Sequence, residues 1–430
     1  MTSPKDRLES PRTGPERRKL LLVAFHFPPQ AGSSGMLRSL KFSKYLIGHG
    51  WQSTVLSIST KAYERVDDSQ LGQIDPAVKV LRPFGLDARK HLAFRGRYLR
   101  WMALPDRWAS WCLGALPSGA LTVWKEGTDV ILSTFPIATA VLIGYLLHRI
   151  TGKPWVVDFR DPMTEGDYPP DPHVHRAYRT IEDLCGRHAS GLIFTTPSAS
   201  EMYQQRYPAL RPDKCWVIPN GYDEEDFTAE GATKLGESES RAVRLLHTGL
   251  IYPEERNPTA FFKSLAQLKR AGRISSQHVR IDLRAAGSEA YLSAMIREQQ
   301  IGDIVHLLPP LPYRESLRDS FEADALLLLQ GASCNHQIPA KMYEYMRLGK
   351  PVLALTPEEG DTAKSLRKAG GATIVDLDGE PEISAQLPVF LSQVKAGTHP
   401  LPDGEQVRQY SRQAQAAQLA RLLDRLAVHQ

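Results

Sequence analysis

Short apolar runs alternate with longer amphipathic stretches along nearly the whole 430-residue chain. Runs at 20–25, 54–58, 78–82, 129–134, 154–159, 191–195 and 216–219 predict strands in the first half. Runs at 243–249, 279–286, 303–308, 324–329, 351–356 and 372–377 repeat the rhythm in the second. They are short, β-branched and continuously apolar, the pattern of parallel strands buried on both faces. Helical spacing occupies the intervals 36–48, 138–149, 174–188, 257–271, 288–299 and 313–322. Strand and helix in alternation predict doubly wound α/β sheets. A turn-rich, apolar-poor stretch at 219–242 divides the chain into two similar halves. The last stretch, 403–428, carries one long helical pattern, of a length that predicts docking across a neighbouring domain.

Length agrees with that division, since 430 residues exceed one ordinary core. Composition is that of a soluble globular protein, 42% hydrophobic and 23% charged. Cys112, Cys185, Cys215 and Cys334 are widely separated, which disfavours a disulfide framework or zinc knuckle and suits a reducing cytoplasm. No apolar run reaches the ~18 residues of a membrane span. Residues 1–18 are charged and Pro-rich and predict a disordered lead without a signal core.

The net charge of +5 is local. Between 82 and 111 seven Lys/Arg face only Asp87 and Asp106, with Trp101, Trp108 and Trp111 among them. As a helix, 89–102 would gather Leu92, Phe94, Tyr98, Leu99 and Trp101 on one half, and Arg89, Lys90, Arg97 and Arg100 on the other. Such a helix suits an anionic membrane surface, and equally suits packing on a core. Arg97, Arg100, Trp101 and Trp108 are the candidate membrane or acceptor patch. No nucleic-acid module accompanies it, so nucleic acid is not an expected partner.

Two segments carry candidate chemistry. Residues 331–351 run from a buried strand through a polar loop into a helix with Pro339 at its start and Gly349 past its end. Free N–H groups of Ala340 and Lys341 at that tip form an anion site, and Glu344 lies one turn further in. An ordinary strand–helix unit would look the same. After the first strand, Gly32, Ser33, Ser34 and Gly35 form a loop whose backbone can approach a substrate, and Arg38 one turn on could reach an anion. This loop lacks the GxGxxG fingerprint and the GK[ST] ending, which disfavours NAD and a P-loop. Asp376-Leu377-Asp378 has a DxD pattern in a late loop, where a structural turn explains it better than a metal.

Five blocks in order resemble one family: FPPQAGSSGMLRSLKFSKYLIGHGWQSTVLS, PWVVDFRDPMTEG, VIPNGYDEEDF, HTGLIYPEERNPTAFFKSL and IPAKMYEYMRLGKPVLAL. They are similar to the retaining, nucleotide-sugar-dependent glycosyltransferases of GT-B fold (glycosyltransferase family 4-like, group 1), over about residues 19–395. The resemblance implies an α/β GT-B architecture, two Rossmann-like domains facing an interdomain cleft, with a C-terminal helix crossing back. The expected domains are the lead 1–18, an acceptor domain 19–218, a donor domain 219–398, and a C-terminal helix 399–430 on the N-terminal domain.

Carried over by position, the resemblance implies that Glu344 binds the ribose and that Pro339, Ala340 and Lys341 meet the diphosphate. Gly249 and Leu311 complete the donor site. The earlier Glu of the family's E-x7-E signature is His336 here. The family's Arg after the strand-closing Gly is Leu250, and its Lys six residues on is Arg256, so Arg38 or Lys341 would supply the missing cation. The family's His–Asp pair corresponds approximately to Asp158, Arg160 and Asp161. Arg256, Asp158, Arg160 and Asp161 are therefore the expected catalytic residues.

The implied activity is transfer of a sugar from a nucleotide-diphosphate sugar to a glycan or lipid-linked acceptor with retention, as a metal-independent hexosyltransferase. Cell-envelope polysaccharide or glycoconjugate biosynthesis is the expected setting. No cofactor or metal is expected. The expected location is cytoplasmic, or the inner face of the cytoplasmic membrane. Two alternatives stay open: a sugar-nucleotide epimerase or hydrolase on the same fold, and an inactive sugar-nucleotide-binding relative.

Overall fold

The structure is a computed structural model describing residues 17–31, 35–95, 97–166, 168–227 and 241–428. Most of the lead, the loop residues Gly32, Ser33 and Ser34, and part of the 219–242 break lie outside the described residues.

The first sheet contains β1 (Arg18–Val23), β2 (Trp51–Leu56), β3 (Lys79–Leu81), β4 (Val130–Thr134), β5 (Trp155–Phe159), β6 (Gly191–Phe194) and β7 (Cys215–Val217), in the order β3-β2-β1-β4-β5-β6-β7. The second contains β8 (Val243–Thr248), β9 (Val279–Arg284), β10 (Val305–Leu308), β11 (Ala325–Leu329), β12 (Val352–Leu355) and β13 (Ala372–Val375), in the order β10-β9-β8-β11-β12-β13. All pairings within both sheets are parallel, with β1 against β4 and β8 against β11. Every apolar run read as a strand is one. Their continuous apolarity follows from cover on both faces: Leu21 and Val23 point into one core, Leu20 and Leu22 into another.

Strand order reverses between β1 and β4, and between β8 and β11. Open α/β sheets bind ligands beyond the carboxyl ends of strands at such reversals. The segments after β1 and β4, and after β8 and β11, are therefore where ligand chemistry is expected, with the β5 end beside them.

The expected single helix over 403–428 is two helices, Gly404–Arg408 and Arg412–Ala427. Ser411 breaks the pattern by capping the second with its side chain. Leu419, Leu422 and Leu423 pack with Leu20, Leu132, Val156 and Ile193 of the first sheet. The junction is tight at the hinge. A Cβ on Gly221 would lie 1.9 Å from the Tyr410 carbonyl oxygen, so only glycine fits there.

The expected helix over 89–102 does not form. A short helix, Ala88–His91, stops early, Phe94 and Arg97 bridge as a tight hairpin, and a 3-10 turn follows at Arg100–Ala103. Arg95 adopts a left-handed φ of 49°, incompatible with a continuing helix. Arg97, Arg100 and Trp101 are exposed. Trp108 leaves the proposed patch, since its ring packs 4.5 Å from Phe25 and stacks under Arg107.

Candidate functional site

The second sheet supplies one wall. The helix Ala340–Leu348 begins after Pro339 and ends at Gly349 in the left-handed conformation, the asymmetry its sequence predicts. No side chain caps its start. Opposite, β8 ends at Thr248 and turns through Gly249, whose φ of 97° favours glycine. A Cβ there would lie 2.6 Å from Lys341 Nζ. Lys341 reaches across this glycine to donate to the Thr248 carbonyl. Leu250, next along the chain, is exposed.

Arg256 approaches the same point. It donates to the Leu250 carbonyl at 2.9 Å, packs on the Tyr252 ring, and leaves Nε sealed without a partner. Burial, reinforced by Arg256, pulls the Lys341 ammonium down to about 7. Buried His247 below them is held neutral by burial and by Lys341, with Nδ1 2.9 Å from the Leu327 carbonyl oxygen. Two cations crowd a helix tip that already favours negative charge, so an anion bound there would relieve both. Glu344 accepts from Tyr313 at 2.9 Å, and burial raises its carboxyl above the usual range. Leu311 lies in the loop leading to Tyr313.

The first sheet supplies the other wall, and here the structure redistributes the expected roles. Arg38 does not reach an anion. It is 2% exposed and uses all five donors: Nε and Nη2 on Asp158 at 2.9 Å each, and the rest on the carbonyls of Ile218 and Pro219 and on Asn220. Asp158 is correspondingly buried as its partner, so the pair ties the end of β5 to the hinge carbonyls. The sequence shows the residue types but not their separation of 120 positions closing to one ion pair.

Arg160 is also buried, donating to Ser39 at 2.7 Å and to the Gly35 carbonyl, while its Nε makes no hydrogen bond and lies 3.9 Å from Asp158. Burial pulls it down to about 10. Asp161 is half-buried beside it, its carboxyl raised by burial. Sequence reasoning missed His26, just past β1. Burial and Arg160 hold its imidazole neutral, down to about 4. The only signal was its position directly after the first strand.

His336 was expected on the donor. It turns to the other wall: Nδ1 lies 2.9 Å from Ser198 Oγ, Nε2 lies 3.8 Å from Glu165, and its carbonyl accepts from Thr196 at 2.9 Å. Ser198 also donates twice to Asp361, at 3.0 and 2.5 Å. The loop before the anion site is thus a clasp between the walls. The acids of 376–378 make a local turn, with Asp378 N–H donating to Asp376 at 2.8 Å.

Known proteins agree with this layout. The family described as glycosyl transferase 4-like domain matches residues 36–221. Comparison with curated proteins finds no match. Among solved structures the chain is similar to sucrose-phosphate synthase from Thermosynechococcus elongatus, with TM-score 0.65 and 13% identity over 96% of this chain and 100% of that one. It is similar to Anabaena HepE in complex with UDP, with TM-score 0.62 and 15% identity over 95% and 99% of the two chains. A putative UDP-N-acetylglucosamine 2-epimerase from Listeria monocytogenes follows at 0.54 and 13%, over 94% and 95%. Identities this low speak for the fold. Together with the matched domain they support a glycosyltransferase. Residues 36–221 thus match the glycosyl transferase 4-like domain, within a two-sheet α/β chain of GT-B fold.

Proposed function

We propose that the protein is a metal-independent hexosyltransferase that moves a sugar from a nucleoside-diphosphate sugar to a glycan or lipid-linked acceptor with retention, in envelope polysaccharide or glycoconjugate synthesis. The observation that carries this reading is the pair Lys341 and Arg256 at the uncapped tip of the Ala340–Leu348 helix, with Glu344 one turn behind. The C1–O bond to the β-phosphate breaks with its electron pair leaving on the phosphate. Amide groups at the helix tip and the two cations stabilise that charge. The acceptor oxygen bonds to C1 on the same face, and its proton passes to the departing phosphate oxygen. Glu344 receives the ribose hydroxyls once Tyr313 yields. Asp161, Arg160 and His26 face the acceptor side.

The test is a panel of labelled UDP-, GDP-, TDP- and ADP-sugars with and without acceptor, headed by UDP-sugars because HepE binds UDP. Acceptor-dependent release of nucleoside diphosphate supports transfer. Isomerised donor would indicate an epimerase, and binding without turnover an inactive relative.

The acceptor reading includes a membrane. Phe94, Leu99 and Trp101 are 77%, 60% and 67% exposed, amid exposed Arg89, Lys90, Arg95, Arg97 and Arg100. Leu113, Pro117, Leu121 and Trp124 form one exposed stripe along the helix Cys112–Glu126. Apolar tips beside exposed cations suit an anionic bilayer at the inner face of the cytoplasmic membrane. Trp101→Ser combined with Trp124→Ser is expected to cut co-sedimentation with phosphatidylglycerol vesicles about tenfold or more. Equal binding of variant and wild type would remove the membrane from this reading.

A further inference from the structure

Arg412 opens the helix Arg412–Ala427, and its position is set by the hinge. Its N–H donates to the Tyr222 carbonyl at 2.9 Å, and the neighbouring Ser411 bridges to Tyr222. The residue is 9% exposed. Among the described residues its guanidinium makes no hydrogen bond and no ion pair. That is unusual, because a buried Arg has five donors and a charge to satisfy.

Its surroundings come from both walls. From the first sheet's side it feels Arg38 and Arg160, and from the hinge Asp223. From the second it feels Glu344 and Tyr313. Of the nearby acids, Asp158 is held by Arg38 and Asp223 by Lys41 at 2.6 Å, while Glu344 and Asp226 share the one Tyr313 hydroxyl at 2.9 and 3.1 Å. Arg160 Nε, 3.9 Å from Asp158, makes no hydrogen bond. Among the described residues none of these acids meets the Arg412 guanidinium directly.

We propose that Arg412 is a ligand-binding residue whose guanidinium takes a phosphate oxygen of a substrate held between the two walls. This rests on the donor site described above but does not use its residues. The phosphate belongs either to the donor's diphosphate or to a phosphorylated acceptor.

The experiment is titration calorimetry with inorganic pyrophosphate, and with inorganic phosphate added to protein saturated with UDP. The proteins are wild type, Arg412→Gln, Arg412→Lys and Lys341→Met. If the phosphate is the donor's, Arg412→Gln weakens pyrophosphate about tenfold to a hundredfold and Arg412→Lys recovers part of it. If it is the acceptor's, pyrophosphate affinity holds and the phosphate heat of the UDP complex disappears. A structural Arg412 would instead lower the unfolding temperature of Arg412→Gln with anion affinities unchanged. Unchanged affinities in Arg412→Gln, with pyrophosphate weakened in Lys341→Met, overturn the proposal and leave the donor site standing. Absence of pyrophosphate and nucleotide binding to wild type overturns both.

Discussion

Binding of a nucleoside diphosphate at pH 8 is expected to take up close to one proton, and Lys341→Met to abolish that uptake. The free Lys341 ammonium is pulled down to about 7 by burial and by Arg256, so at pH 8 about nine-tenths of it is neutral. A diphosphate beside it favours the charged form and pushes its pKa back up. The sign follows: affinity is highest below pH ~7 and falls up to tenfold per unit above it, because binding must then draw a proton from solvent. Calorimetry in two buffers of different ionisation enthalpy reads the uptake directly. Lys341→Met loses a charge-assisted contact, about tenfold to a hundredfold in affinity. Arg256→Ala should mainly lower turnover, about a hundredfold, because its charge matters most as the leaving group develops. A dissociation constant flat from pH 7 to 9 would place the diphosphate elsewhere.

The second large effect is on stability. Asp158→Ala should destabilise the protein by about 3–5 kcal/mol, since it leaves the Arg38 guanidinium, 2% exposed, without its carboxylate. Arg38→Met with Asp158→Leu removes both charges and should recover most of that loss. Urea unfolding of the three proteins measures this. A single Asp158→Ala that unfolds like wild type but no longer transfers sugar would return Asp158 to the catalytic residues.

How much was legible in the chain differs by feature. Each strand was readable because continuous apolarity is local and buried parallel strands demand it. The Ala340–Leu348 helix was readable for the same reason, with Pro339 and Gly349 marking its ends. The 89–102 helix was misread because apolar period alone predicts it, while backbone conformation at Arg95 and the Phe94–Arg97 bridge decide otherwise. The pairing of Asp158 with Arg38 was not readable, because charged residues at strand ends look alike in sequence whether they meet a ligand or each other. His26 and Arg412 carried no motif at all.

By itself, then, the pattern of residues determined two parallel α/β layers, the hinge between them and the uncapped helix start after Pro339, all set by neighbours within a turn or a strand. Only the tertiary structure decided which charges remain for a substrate. Pairing between Arg38 and Asp158, the reach of Lys341 over Gly249, and the unanswered guanidinium of Arg412 depend on residues 93 to 120 positions apart, or more, meeting in a low-dielectric interior.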